Sequence, residues 1–150
     1  MATKSLANGN KIVIAHRGAS AYLPEHTLAG VSMAHAWDVD FIEPDIVLSK
    51  DRVPVVLHDI HLELTTNVED TFPKKKRKDG RYYAIDLSLA ELKQLRVHER
   101  INPKTGKIAF PARFPAKLSA FQIPTLSEYI ELIQGLNSSR QKKNWHISRN

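Results

Sequence analysis

The 150-residue sequence has no cysteine, which removes disulfides, thiolate metal sites and cysteine nucleophiles together and leaves the redox compartment open. It also lacks a long hydrophobic run. The stretches Ile12 to Ala15 and Val53 to Leu57 fall far short of the ~20 residues that cross a bilayer, so no transmembrane segment is expected. The first ten residues, MATKSLANGN, contain no apolar signal core and read as a disordered lead-in. Aromatic residues make up only 7%, and none interleaves the basic runs Lys74 to Lys78 and Arg140 to Lys143. Without stacking residues or a nucleic-acid fold signature, the +6 net charge reads as solvated loop, and no nucleic-acid partner is expected. What remains, 42% hydrophobic and 25% charged, is an ordinary globular composition for about one domain.

Lys11 to His16 (KIVIAH) is a β-branched apolar run expected to form a strand that delivers His16 and Arg17 at its C-terminal end. Thr27 to Trp37 carries Leu28, Val31, Met33 and Ala34 close to helical spacing, with Thr27 or His26 at the cap. Asp40 to Leu48 reads as one strand, irregular at Pro44, and Val53 to Asp59 as another. The Ser49 to Arg52 turn between them is too short for a crossover and implies an antiparallel hairpin. A four-residue loop sets Glu43 opposite His58, and a two-residue loop sets Asp45 there; an odd loop breaks the clustering. Downstream, Leu62 to Arg81 reads as polar loop and residues 98 to 123 as irregular, so that 62 to 123 forms an insertion. Two capping boxes, Ser88 with Glu91 and Thr125 with Glu128, open helices over Ser88 to Leu95 and Thr125 to Leu136. Strands alternating with helices, with polar residues at strand ends, are the signature of an α/β barrel. A whole barrel takes ~250 residues, so about the first half of one is expected.

Glu43 and Asp45 lie two apart, and paired carboxylates suit a hard divalent cation; alternation of acids on a solvated strand gives the same spacing. His16 and His58 end two other strands, where imidazoles can exchange protons near neutral pH, and an arginine such as Arg17 can grip a phosphate with its fork. Glu25 and His26 sit in the loop after His16-Arg17-Gly18, where a substrate contact is natural. Asp59 either orients an imidazole or caps a loop.

The segments IAHRGASAYLPEHT, IEPD, VVLHD, RKDGRYYAIDLSLAEL and PTLSEYIELIQGLN together resemble the glycerophosphodiester phosphodiesterases, specifically a bacterial periplasmic branch, over residues 11 to 137. The resemblance implies a TIM barrel and hydrolysis of a small-molecule glycerophosphodiester to glycerol 3-phosphate and an alcohol, with bound Ca²⁺ or Mg²⁺. It implies His16 and His58 as the acid/base pair, Glu43 and Asp45 as metal ligands, and Arg17 as a phosphate contact. It further implies a periplasmic location, with the cytoplasm as the alternative for a chain without a signal. Many relatives carry Asn where this chain has His26. Nothing in these motifs sets an oligomeric state. A different class of reading is a non-catalytic fragment that binds anions or phospholipid headgroups through the basic runs. The departure from the family pattern is at residues 138 to 150, SSRQKKNWHISRN, expected to be an aberrant tail in which Arg149 falls where the family has a metal-binding Glu. Codons exist for Asn144 to Asn150 that read Thr-Gly-Ile-Tyr-Pro-Glu one base out, which permits a frameshift. On this reading the chain is a truncated barrel, poorly folded and nearly inactive when made alone.

Overall fold

The computed structural model describes residues 11 to 113 and 120 to 140. The lead-in 1 to 10 and Arg149, with the rest of the tail from 141, lie outside these residues. Strand β1 (Ile14–His16), helix α1 (Leu28–Ala36) and strand β2 (Phe41–Glu43) form a parallel unit with Ile14 opposite Phe41 and His16 opposite Glu43. Thr27 caps α1: its hydroxyl accepts the Gly30 N–H at 3.2 Å and donates to the Pro24 carbonyl at 2.9 Å. Gly18 turns the chain out of β1 at φ +80°, and a Cβ there would stand 3.1 Å from the Gly30 carbonyl carbon. Only glycine combines that left-handed turn with so close an approach to the helix.

The single strand expected over Asp40 to Leu48 is two. β2 stops at Glu43, and β3 (Ile46–Leu48) starts after Pro44 and Asp45, pairing antiparallel with β4 (Pro54–Val56). Pro44 has no N–H to give a ladder, which is why the pairing changes partner there. The hairpin register is also not one of the two even-loop alternatives. Leu48 faces Pro54, Ser49 N–H bonds the Val53 carbonyl at 3.1 Å, and Lys50, Asp51 and Arg52 form a three-residue loop. Arg52 at φ 60° supplies the left-handed residue that such loops require. Continuing that register sets His58 opposite Pro44, with Leu57 N–H on the Asp45 carbonyl at 3.1 Å. The acids nevertheless stay near the strand ends, because the break at Pro44 frees them from a shared alternation.

Two cores form. One holds α1 against helix α4 (Leu126–Ser139) and the strands, through Val31, Ala34, Ile42, Val56, Tyr129 and Ile133. The other belongs largely to the insertion and gathers Leu62, Val68, Leu87, Leu92, Leu95 and Ile123 around Val55 and Leu57. The stretch 62 to 81 is therefore not plain loop: it contains helix α2 (Val68–Thr71), whose Val68 is fully buried. Helix α3 (Leu89–Leu92) has the expected Ser88/Glu91 capping box but ends earlier than Leu95. α4 has the Thr125/Glu128 box and runs past Leu136 to Ser139, so the first two residues of the expected tail are helical. On β1 the Ala15 side packs toward the helices, while Ile14, on the His16 side, is 58% exposed.

Candidate active site

The parallel pairing carries one step beyond the strands, as Arg17 N–H bonds the Glu43 carbonyl at 3.0 Å. This places His16, Arg17 and Glu43 at the C-terminal ends of β1 and β2, the end at which barrel enzymes build their sites. Arg17 and His26 both hold left-handed backbones, φ 63° and 62°. Such conformations cost ~1–3 kcal/mol in ordinary residues and persist where surrounding contacts fix them. The contacts here are explicit. Arg17 N–H also reaches Glu43 Oε2 at 3.3 Å, Arg17 Nε stands 3.4 Å from Asp45 Oδ2, and His26 Nε2 stands 3.0 Å from the same oxygen.

A chain of charge continues from Arg17 away from the carboxylates. Arg17 Nη1 reaches both Glu25 oxygens at 3.3 Å. Arg100, from the insertion, clamps Glu25 with Nε at 3.0 Å and Nη2 at 2.6 Å, and turns Nη1 onto Asp59 Oδ2 at 2.6 Å. Asp59 Oδ1 in turn accepts His58 Nδ1 at 2.5 Å. Thus seven of the eight residues singled out from sequence, Arg17, Glu25, His26, Glu43, Asp45, His58 and Asp59, fall into one connected network with Arg100. His16 joins through its backbone register with Glu43, and its side chain is exposed.

Burial shapes the electrostatics. It drives His26, 2% exposed, down to about 4 despite Asp45 and Glu25 beside it, so the imidazole is neutral at physiological pH. Burial pushes Glu25 and Asp59 up, but the Arg100 hydrogen bonds and charge outweigh it and hold both below the usual carboxylate range. Arg100 is itself raised by Glu25 and Asp59 against the opposing effect of burial.

The donor set fits a hard cation in part. Among the described residues, the Glu43 carboxylate accepts only the long Arg17 N–H bond and the contacts to Asp45 from Arg17 and His26 fall on Oδ2, so carboxylate oxygens remain available at both. Two carboxylates completed by water and substrate phosphate suffice for Mg²⁺-type binding. Among the described residues, no group of three or more His, Asp or Glu forms a cage.

Sequence reading missed Arg100 and Tyr129. Arg100 lies in an aperiodic segment with no local signal. Tyr129 belongs to an apolar helical stripe that reads as core; its hydroxyl is buried without a hydrogen-bond partner among the described residues, and burial followed by the charges of Glu43 and Asp45 raises its pKa. The basic run of the alternative reading is largely neutralised internally. Lys75 pairs with Glu91 at 2.9 Å, Lys76 with Glu69 at 3.4 Å, and Arg77 with Asp86 through two bonds of 2.6 Å.

The model of the glycerophosphoryl diester phosphodiesterase family matches residues 16 to 148. A glycerophosphodiester phosphodiesterase of Haemophilus influenzae is 48% identical over 136 residues, covering 89% of this chain and 37% of that protein. The chain thus spans little more than a third of the length of the curated relatives it matches. Among solved structures, an Oleispira antarctica phosphodiesterase in complex with the product sn-glycerol-3-phosphate superposes with a TM-score of 0.60 at 33% identity, over 85% of this chain and 41% of that one. A glycerophosphodiester phosphodiesterase of Agrobacterium tumefaciens gives a TM-score of 0.61 at 25% identity, over 85% and 44%. The fold is accordingly α/β of the TIM-barrel type, and the chain corresponds to somewhat less than half of such a barrel.

Proposed function

The chain belongs to the glycerophosphoryl diester phosphodiesterase family, and from that premise we propose that it serves hydrolysis of glycerophosphodiesters to glycerol 3-phosphate and an alcohol. The observation that carries the reading is the gathering of His16, Arg17, Glu43, Asp45 and His58 at one end of the strands, with the charge network behind them. Glu43 and Asp45 are the residues to hold a divalent cation, Ca²⁺ or Mg²⁺, which when bound polarises the phosphoryl oxygens and offsets their charge. Arg17, anchored between Asp45 and Glu25, directs positive charge toward a phosphate. Neutral His26 and the Arg17 side chain orient the Asp45 carboxylate.

In the reaction, water oxygen bonds to phosphorus and the P–O bond to the alcohol breaks. One of His16 and His58 takes the proton from water, and the other gives a proton to the departing alkoxide. With Nδ1 donated to Asp59, His58 keeps Nε2 for proton exchange. A periplasmic location belongs to the same proposal and follows the family resemblance. Turnover by the 150-residue chain is expected to be slow, since among the described residues no third ligand joins Glu43 and Asp45 in a cage and Ile14 stands exposed beside His16.

The test is release of glycerol 3-phosphate from a glycerophosphodiester by the purified chain, with and without a chelator. Chelator-sensitive release above the uncatalysed rate is the expected result. No release at any metal concentration, from chain whose near-UV spectrum reports a packed fold, overturns the reading.

A further inference from the structure

We propose that Arg100 is a positioning residue through which the insertion sets the orientation of His58, by fixing Asp59 on one side and Glu25 on the other. The inference rests on the hydrolytic reading above only for its kinetic consequence; the positioning itself is a statement about structure. Its basis is one guanidinium with every arm engaged. Nε and Nη2 form a fork on Glu25 at 3.0 and 2.6 Å, and Nη1 binds Asp59 Oδ2 at 2.6 Å. Asp59 has its other oxygen 2.5 Å from His58 Nδ1, so the carboxylate spans the two cations or donors without a rotamer to spare.

His58 needs such support. Its side chain is 39% exposed, and among the described residues Asp59 is the polar partner its ring contacts. Asp59 in turn is 20% exposed, and without Arg100 its carboxylate could rotate toward solvent and leave the ring free to turn. The Glu25 fork ties the same guanidinium to Arg17, so that the phosphate-facing arginine and the proton-exchanging histidine are referenced to one rigid group. Arg100 enters from a segment whose own core, including Leu92, Leu95 and Val97, is packed against Val55 and Leu57. The insertion is thereby a supporting wall for β4's catalytic end, not a dispensable surface addition. A lysine cannot reproduce this geometry, because a point charge replaces a planar fork.

The experiment compares the chain with Arg100→Gln, Arg100→Lys, Asp59→Asn and the double variant Asp59→Asn/Arg100→Gln. The first readout is proton NMR of the His58 Nδ1–H, assigned by its loss in His58→Ala. A downfield, exchange-protected signal is expected in the parent, broadened or lost in Arg100→Gln and intermediate in Arg100→Lys, with circular dichroism unchanged. The second is kinetic: a ~10–100-fold fall in kcat with KM within about threefold, the scale seen when a group that orients a functional side chain is removed. Asp59→Asn should reproduce the loss, and the double variant should add little to either single one, since both break one link. A signal as protected as the parent's in folded Arg100→Gln overturns the proposal, as do multiplicative losses in the double variant or a defect confined to KM. Should the parent chain hydrolyse nothing, the hydrolytic reading falls while the NMR comparison still decides the role of Arg100.

Discussion

His26 Nε2 stands 3.0 Å from Asp45 Oδ2, and the imidazole that makes this bond is only 2% exposed. The pairing joins the loop before α1 to the break between β2 and β3, two points of irregular backbone that would otherwise have little to hold them in register. Because burial outweighs the neighbouring carboxylate, the ring is held neutral and donates as an ordinary N–H.

That neutrality has a pH signature. His26 falls from 6.5 to about 4 on folding, so between those values the unfolded chain binds a proton that the folded chain excludes. Stability from this site is fully present above pH 6.5 and is lost as pH falls toward 4, by up to ~3 kcal/mol. The lowered Glu25 and Asp59 act in the same direction only below the ordinary carboxylate range, and Glu99, raised by burial, acts in the opposite direction, so the part due to the histidine is read from the difference between the parent and a His26 variant between pH 7 and 5. His26→Asn keeps a side-chain N–H donor and tolerates the left-handed backbone. Urea titrations should show the parent losing stability from pH 7 to 5 and the variant losing clearly less. Equal slopes would remove the buried neutral histidine from the account.

For the acid/base pair, His16→Ala and His58→Ala are each expected to lower kcat by at least ~10²-fold. Both side chains are exposed, and thermal midpoints should move little. Near-normal turnover in both variants would end their assignment.

Parts of this arrangement are legible in the sequence because they depend on near neighbours. The Ser88/Glu91 and Thr125/Glu128 boxes form as expected, since each is closed within four residues. His16 is legible at a strand end because the short apolar run Lys11 to His16 stops there, whereas Glu43 reads as the interior of a strand from Asp40 to Leu48 and stands at an end only because β2 stops at it. The interruption at Pro44 is legible as irregularity within one strand, because the missing N–H marks a local gap in the ladder without saying which strand pairs beyond it. The loop differs from the four-residue alternative by a single pairing, Ser49 with Val53, which only the formed hairpin reveals. Arg100 meets partners 75 and 41 residues away, and no periodicity in its segment could have announced them.

The anion-binding alternative makes a different claim about the surface. With Lys75, Lys76 and Arg77 each facing a carboxylate, the run from Lys74 to Lys78 offers little net attraction. Binding to vesicles rich in anionic lipid should be weak at physiological salt and should leave hydrolysis unchanged in Lys74→Ala/Lys78→Ala. Tight, salt-dependent binding that this double variant abolishes, in a chain without phosphodiesterase activity, would favour the alternative.

Divalent cation binding separates the two carboxylates by what else each one does. Asp45 holds His26 and Arg17, so Asp45→Asn removes a charge that the folded chain uses whether or not metal is present. Among the described residues the Glu43 carboxylate has only the 3.3 Å bond from Arg17 N–H, and Glu43→Gln keeps an oxygen in place to accept it. In chelator, therefore, Asp45→Asn should melt below the parent while Glu43→Gln melts close to it. Adding Mg²⁺ or Ca²⁺ should raise the parent's midpoint, because a ligand present at 100 times its Kd contributes ~2.7 kcal/mol to the folded state. That rise should shrink in both variants, by an amount matching at least a tenfold loss of affinity, or ~1.4 kcal/mol. Calorimetric titration gives the same comparison without unfolding. A metal-induced rise that persists undiminished in both variants would place the cation elsewhere and leave Glu43 and Asp45 as parts of the Arg17 and His26 scaffold.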